Sequence, residues 1–254
     1  MIDIRNAENE FLQYTKKFDL NNPNIDRKVY HSIRVSRISK EIAKGLNLSD
    51  EEIVLAMLIG ILHDIGRFEQ FTVYKTYNDL KSIDHGSLGV NILTENNYIR
   101  KYILDNEYDN IILNAIKNHN QLKIETSLSK KEELFAKIIR DADKIDIIYE
   151  ATEIFWKDEV SDVEKQKISD EVFKEFKSEV IVENSLKKNN LDRFVGIISF
   201  IFDINFNVSL EILERKQYIK KMLDRFNFSD GDTKAKIDMI EQLAERYIEN
   251  RLKG

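Results

Sequence analysis

Residues 53–66 read IVLAMLIGILHDIG, an apolar run that ends in an imidazole, a carboxylate and a glycine. The run is apolar on nearly every face of a helix, which predicts a helix buried in a core. The stretch SDEE at 49–52 is a capping box, whose outer side chains satisfy amide donors at a helix start. We expect Gly66 to end the helix. A buried carboxylate is costly unless it is paired or binds a metal, so His63 and Asp64 are candidate metal ligands.

The rest of the chain predicts an all-α protein. It has one proline and eight glycines in 254 residues, and no long stretch alternates apolar and polar residues. Apolar residues recur near helical spacing in 30–46, 108–118, 132–155 and 237–252. A second capping box is predicted at 161–164, and 194–202 reads as a buried helix too short to cross a bilayer. We expect one all-α domain over 1–254, with a core at about 25–150 and a C-terminal helical extension at about 151–254.

Composition limits the class of function. The chain has no cysteine, which excludes disulfides and thiolate ligands. Its first residues lack the apolar stretch of a signal peptide, so a cytoplasmic protein without membrane contact is expected. The net charge is -6, from 39 basic and 45 acidic residues, which argues against strong nucleic-acid binding. A small anionic substrate is compatible with this composition, and association into a homo-oligomer stays open.

The order of histidines and aspartates resembles that of a known enzyme family. His31, the pair His63-Asp64 and Asp143 follow one another in the order H…HD…D. The stretches HSIRV at 31–35, HDIGR at 63–67 and DADKID at 141–146 resemble the motif segments of the HD superfamily of metal-dependent phosphohydrolases. The resemblance covers about residues 25–150. It implies an HD-domain helical bundle, to which the C-terminal helices are an addition.

The resemblance implies a metal site. It assigns a first metal to His31, His63, Asp64 and Asp143, and makes Asp64 a ligand able to touch two metals. Imidazoles and carboxylates together suit Mn, Fe, Ni, Co or Zn. Such an ion lowers the pKa of a bound water and polarises a phosphoryl oxygen.

The two remaining histidines bear on the number of metals. His85 and His119 lie between the HD pair and the last aspartate, the interval in which two-metal relatives carry further ligands. Taken singly, each also fits an exposed histidine near a helix end. Together they favour a centre of two metals, and a single metal is the alternative. The GYP tripeptide of the cyclic-di-GMP phosphodiesterases is absent from the sequence, so that substrate is not supported.

A substrate phosphate needs nearby positive charge. Lys144 directly follows the last aspartate, at the place of a cation in nucleotide-hydrolysing relatives, and would act in catalysis with Asp64 as well as in substrate binding. Arg34, one turn after the first histidine, and Arg67, after the HDIG motif, are further candidates for substrate binding. Each of these cations is equally compatible with a surface position. Residues 67–71 are expected to form a loop over the site.

The sequence therefore predicts a metal-dependent phosphohydrolase, whose substrate is a phosphomonoester or phosphodiester of a nucleotide or another small phosphorylated metabolite. The first alternative is an HD-type di-iron oxygenase, because such oxygenases share a set of four histidines and two aspartates. The second alternative is a non-enzymatic regulatory module. It is disfavoured because no ligand of the core motif is missing.

Overall fold

The structure, a computed structural model, describes residues 2–153 and 163–254. Within these ranges the regular structure is helical and contains no β-strand, which confirms the all-α prediction. The α-helices are α1 (Ile4–Thr15), α2 (Pro23–Gly45), α3 (Asp50–Leu62), α4 (Ile65–Tyr74), α5 (His85–Thr94), α6 (Asp109–Asn118), α7 (Lys130–Glu153), α8 (Asp170–Lys177), α9 (Asn190–Ile198), α10 (Asn207–Lys216), α11 (Tyr218–Leu223) and α12 (Gly231–Lys253). Short 3-10 helices occur at Asp79–Lys81, Glu95–Lys101, Val163–Lys165, Asn184–Leu186 and Ser199–Asp203.

The chain divides into two compact units, Met1–Asp143 and Lys144–Gly254. In the first unit α2 packs along α3, α1 packs on α3, and α5 packs on both α4 and α6. In the second unit α12 packs on α8, α10 and α11, and α8 packs on α9. The expected single domain with a boundary near residue 150 stays a prediction.

The capping box before α3 is confirmed. The Ser49 hydroxyl oxygen accepts from the Glu52 amide at 3.4 Å, and the Glu52 carboxylate accepts from the Ser49 amide at 3.1 Å. Both bonds satisfy amides that have no partner within the helix. The apolar run that follows is buried along nearly its whole length, as its pattern predicts. The second predicted capping box, at 161–164, begins at residues that lie outside the described ranges.

Two local predictions around the HDIG motif are wrong. The helix ends at Leu62 without a glycine, and Gly66 is the second residue of α4. A Cβ atom at Gly66 would lie 2.4 Å from the His85 carbonyl oxygen, so this glycine permits the close approach of α4 and α5. Residues 67–71 are helical, not a loop. Phe68 is fully buried in edge-on and tilted contacts with the rings of Phe11, Tyr14 and Phe18.

The second unit is held by apolar faces of its own helices. The predicted buried helix at 194–202 is confirmed as the end of α9 and the 3-10 turn after it. The predicted stripe on α12 is buried at Ile237, Ile240, Ala244 and Ile248. None of the helices in the described part of the chain is long and apolar enough to span a membrane.

Candidate metal centre

Helix ends bring the predicted ligands together in the first unit. The six side chains come from the middle of α2 (His31), the end of α3 (His63), the turn into α4 (Asp64), the first residue of α5 (His85), the residue after α6 (His119) and α7 (Asp143). The first five residues are buried, which removes the exposed-histidine interpretation of the two extra histidines. The Asp143 side chain is 19% exposed, so solvent reaches the centre beside it.

Four donor atoms form a first group. Nε2 of His31 lies 3.2 Å from Nε2 of His63 and 3.1 Å from Oδ1 of Asp143. Oδ2 of Asp64 lies 3.4 Å from the His31 nitrogen and 3.6 Å from the His63 nitrogen. Oδ1 of Asp143 is also 3.6 Å from Nε2 of His63. The group is the one expected from the H…HD…D order.

The other oxygen of Asp64 belongs to a second group. Oδ1 of Asp64 lies 3.4 Å from Nε2 of His85 and 3.5 Å from Nε2 of His119. These two imidazole nitrogens are 2.9 Å apart. Asp64 thus presents one carboxylate oxygen to each group.

The donor separations fit bound cations. Imidazole and carboxylate ligands lie about 2.0–2.2 Å from a transition metal, which places neighbouring ligands about 3.0 Å apart in octahedral and about 3.4 Å apart in tetrahedral coordination. The separations within the two groups fall between 2.9 and 3.6 Å. The second group (Asp64, His85, His119) and three members of the first (His31, His63, Asp64) each form a cluster with donor atoms within 4.8 Å of one another, and Asp143 forms a further cluster with His63 and His119.

In three of the imidazoles, the hydrogen bond made by Nδ1 shows that Nε2 is the nitrogen available to bind a metal. Nδ1 of His63 lies 2.9 Å from the Gly60 carbonyl oxygen, and Nδ1 of His119 lies 2.6 Å from that of Ile116. Nδ1 of His85 lies 2.6 Å from a carboxylate oxygen of Asp79. Each partner only accepts, so Nδ1 carries the proton and Nε2 keeps its lone pair. The facing lone pairs of His85 and His119 repel each other unless a cation lies between them.

The aspartates are held in their ionised form. Burial opposes ionisation of Asp64, but the charge of Lys28 outweighs it and holds the pKa of the carboxyl well below its usual range. Burial likewise opposes ionisation of Asp143, and the contact with His31 lowers its pKa well below the usual value. Both carboxylates therefore carry the negative charge that a cation requires.

Two of the histidines are held neutral. Burial lowers the pKa of His63 below its ordinary value, against the effect of the two carboxylates beside it. Burial lowers the pKa of His85 to about 4, although Asp79 opposes the change. A neutral imidazole is the form that binds a metal, so both residues are in the ligand form near neutral pH.

Lys28 is a contact that the sequence prediction missed. Its Nζ lies 2.6 Å from Oδ2 of Asp64, and its side chain is only 12% exposed. The residue lies one turn before His31 on α2, so both side chains share a face of that helix. This spacing is a signal that the sequence contained.

The predicted cations are placed differently from one another. Lys144 belongs to the second unit and pairs with Asp203, with Nζ 2.8 Å from the carboxylate. Nη1 of Arg67 donates to Gln70, to the Tyr77 carbonyl and to Asp79, while its Nε lies 3.6 Å from Oδ1 of Asp64. Arg34 is partly buried on α2. Their roles in substrate binding stay predictions.

Comparison with known proteins identifies the family. Residues 29–148 match the family model described as HD domain, and the match contains all six of the histidines and aspartates described above. Curated proteins and solved structures gave no match. HD domains bind divalent metals and are characteristic of a superfamily of metal-dependent phosphohydrolases. Residues 29–148 of this chain are therefore an HD domain.

Proposed function

We propose that the chain is a metal-dependent phosphohydrolase with a centre for two divalent ions. Its substrate would be a phosphomonoester or phosphodiester of a nucleotide or another small phosphorylated metabolite. The proposal rests on the position of Asp64, whose two carboxylate oxygens face separate pairs of histidines. Each oxygen lies 3.4–3.6 Å from the Nε2 atoms of its pair. Two-metal hydrolases need such a shared ligand to keep both ions near one phosphoryl group.

The proposed ligands divide according to these groups. His31, His63, Asp64 and Asp143 would hold the first ion, and Asp64, His85 and His119 the second. Mn, Fe, Ni, Co and Zn suit this mixture of imidazoles and carboxylates. When bound, such ions lower the pKa of a water and polarise phosphoryl oxygens.

Asp64 is proposed to do more than hold ions. Its carboxylate stays ionised in the buried site, so it can orient a water molecule and accept a proton from it. Asp143 is the most exposed of the six side chains, and we propose that water and substrate reach the centre from its side. Burial of the histidines keeps bulk water away from the inner donors, which strengthens electrostatic interactions there.

Two cations flank the shared carboxylate and suit a phosphate dianion. Lys28 approaches Oδ2 of Asp64, and Arg67 approaches Oδ1. Nε of Arg67 is buried and has no hydrogen-bond acceptor among the described residues. Both cations lie over the ring of Tyr77, at 5.8 and 5.6 Å from its centroid. We propose that Lys28 and Arg67 stabilise charge on the phosphoryl oxygens, and that Arg34 and Lys144 assist from α2 and α7.

An HD-type di-iron oxygenase is the second candidate. The centre gathers four histidines and two aspartates, a set that binds iron as readily as other transition metals. Requirements of the reaction separate the two functions, because an oxygenase depends strictly on iron and dioxygen. A purely regulatory module has less support, since none of the six proposed ligands is missing and their donor atoms lie close together.

The proposed function is tested by assay of protein purified without chelator. Aliquots supplied with Mn, Co, Ni or Fe are screened against phosphorylated metabolites and a generic phosphate ester, under air and under nitrogen. We expect hydrolysis that a chelator abolishes and that dioxygen does not affect. Turnover only with iron and dioxygen would establish the oxygenase instead.

A pair of aspartate variants locates the activity. Asp64→Asn should lower kcat by about 10²-fold or more, because loss of a shared ligand removes several kcal/mol of stabilisation. Asp50→Asn is the matched control, since Asp50 is exposed in the first turn of α3. Full activity of Asp64→Asn, with far-ultraviolet circular dichroism like that of the wild type, would show that the active site is elsewhere.

A further inference from the structure

We propose that Asp79 is a positioning residue for the second donor group. It fixes the direction and the protonation of His85, so that binding of the second ion depends on the segment 75–84, whereas binding of the first does not. The inference rests on the proposed two-ion centre.

The histidines differ in what holds their outer nitrogen. His63 and His119 each follow a helix, and the Nδ1–H of each donates to a carbonyl three residues earlier in that helix. Formation of the preceding helix is enough to place the carbonyls that accept these two hydrogen bonds. His85 is the first residue of α5 and has no preceding helical turn to supply such a carbonyl. Its Nδ1–H donates instead to Oδ2 of Asp79, at 2.6 Å. The orientation of His85 therefore depends on a side chain outside its helix.

Asp79 is itself fixed by donors on three sides. Its Oδ1 accepts from Nη1 of Arg67 at 3.0 Å and from Nε2 of Gln70 at 2.7 Å. Its Oδ2 accepts from Nδ2 of Asn120 at 3.2 Å, in addition to the bond from His85. Gln70 is fully buried on α4 and also donates to the Ile83 carbonyl at 2.9 Å. The carboxylate is therefore fixed between α4, the segment 75–84 and the residues after α6.

The charge of Asp79 matters as well as its position. Its Oδ1 lies 3.0 Å from Nη1 of Arg67, a permanent cation whose charge favours the ionised carboxylate. A carboxylate on Nδ1–H excludes the other tautomer and makes Nε2 a stronger donor to a metal. An asparagine cannot replace it, because an amide nitrogen would face either the His85 N–H or the donors of Arg67 and Gln70.

The two ions should respond differently to the loss of Asp79. The first group has four protein donors, and the hydrogen bonds of the Asp79 carboxylate described above go to none of them. The second group has three, and His85 is one of them. Removal of the partner that orients a metal-binding histidine costs about 10- to 100-fold in metal affinity. That loss should fall on the second ion alone.

The test uses the full chain, stripped of metal and titrated with Mn²⁺. Wild type is compared with Asp79→Asn, Asp79→Ala and Leu80→Ala. Leu80 is 98% exposed and lies in the same short 3-10 helix, so it is the matched control for a change in this turn. Bound metal is counted by equilibrium dialysis, and electron paramagnetic resonance distinguishes coupled from isolated Mn²⁺. Circular dichroism confirms folding, and the isosteric Asn variant decides if the Ala variant does not fold.

We expect two ions in wild type and in Leu80→Ala, with a coupled Mn²⁺ signal. In Asp79→Asn the second ion should bind about 10- to 100-fold more weakly, the first should be unaffected, and the isolated six-line signal should replace the coupled one. Wild-type affinity for both ions in the Asp79 variants would overturn the inference and leave the proposed function intact. Equal weakening of both ions would also overturn it, since Asp79 would then support the whole centre. A single ion in wild type would refute the two-ion centre itself.

Discussion

Gly66→Ala is expected to force α4 and α5 apart. A Cβ at this position would lie 2.4 Å from the His85 carbonyl oxygen and 2.8 Å from the Gly89 amide nitrogen. Ordinary contacts of a Cβ begin near 3.4 Å, and both neighbours are backbone atoms that cannot rotate away. The two helices must therefore separate by roughly 1 Å, the difference between this contact and normal packing.

The cost follows from two opposing effects. Overpacking in a core destabilises by about 1–3 kcal/mol, and a collision with backbone belongs at the upper end. Alanine is about 1 kcal/mol better than glycine within a helix, which offsets part of that cost. We expect a net loss of about 2 kcal/mol in the free energy of unfolding. Because the displaced carbonyl belongs to His85, the contact of its imidazole with Asp64 should change, and binding of the second ion should weaken as well.

The assay is urea unfolding followed by far-ultraviolet circular dichroism, together with a count of bound metal. Gly231→Ala is the matched control. It is also helical, and a Cβ added there would meet no heavy atom of the described residues within 4 Å beyond its own neighbourhood. The control should be neutral or stabilised by up to about 1 kcal/mol. If Gly66→Ala were as stable as this control and bound two ions, the explanation of the glycine by close packing would be refuted.

Three further predictions concern charge and packing around the centre. Lys28→Met removes the ammonium 2.6 Å from Asp64, so KM for a phosphate ester should rise about tenfold while metal affinity does not fall. Steady-state kinetics measures the first effect and calorimetric metal titration the second. An unchanged KM would exclude Lys28 from phosphate binding. Phe68→Ala should lower the free energy of unfolding by about 3–5 kcal/mol in urea, because the ring is fully buried against other rings, and a loss below 1 kcal/mol would contradict that packing. Burial lowers the pKa of His85 from 6.5 to about 4, so between these values only the unfolded metal-free chain takes up this proton. The free energy of unfolding of the metal-free protein should therefore fall as pH falls from 6.5 to about 4, and equal urea midpoints at pH 7 and pH 4 would contradict this.

Sequence reasoning found the six side chains that the structure brings together because their order and local motifs carry the information. The continuous apolar run placed His63 at the end of a buried helix, and the helix predicted over 108–118, which His119 follows, was confirmed as α6. Burial of these two histidines was not decided by sequence, because a polar residue at a helix end is compatible with either environment. Only the packing of α5 on α6 distinguishes the two cases.

The errors have a shared physical cause. Glycine can end a helix because its backbone is conformationally free, but Gly66 is needed for a different reason. It has no side chain, which lets the His85 carbonyl approach closely, and the sequence does not show that these two residues are neighbours. Residues 67–71 were expected to form a loop, whereas they are helical and the Phe68 ring packs on α1. Asp79 was missed because its partners come from three separate segments. Lys28 could have been predicted from the sequence, because it lies one helical turn before His31.

The central claim is that six residues hold two divalent ions, and the most direct test is metal stoichiometry. Wild type and the double variant His85→Ala/His119→Ala are loaded with Mn²⁺, dialysed, and measured by elemental analysis alongside circular dichroism. We predict two ions per chain in wild type and one in the folded double variant, because His31, His63, Asp64 and Asp143 remain. An unchanged stoichiometry between the two proteins would contradict the account and reduce the centre to a single four-ligand site.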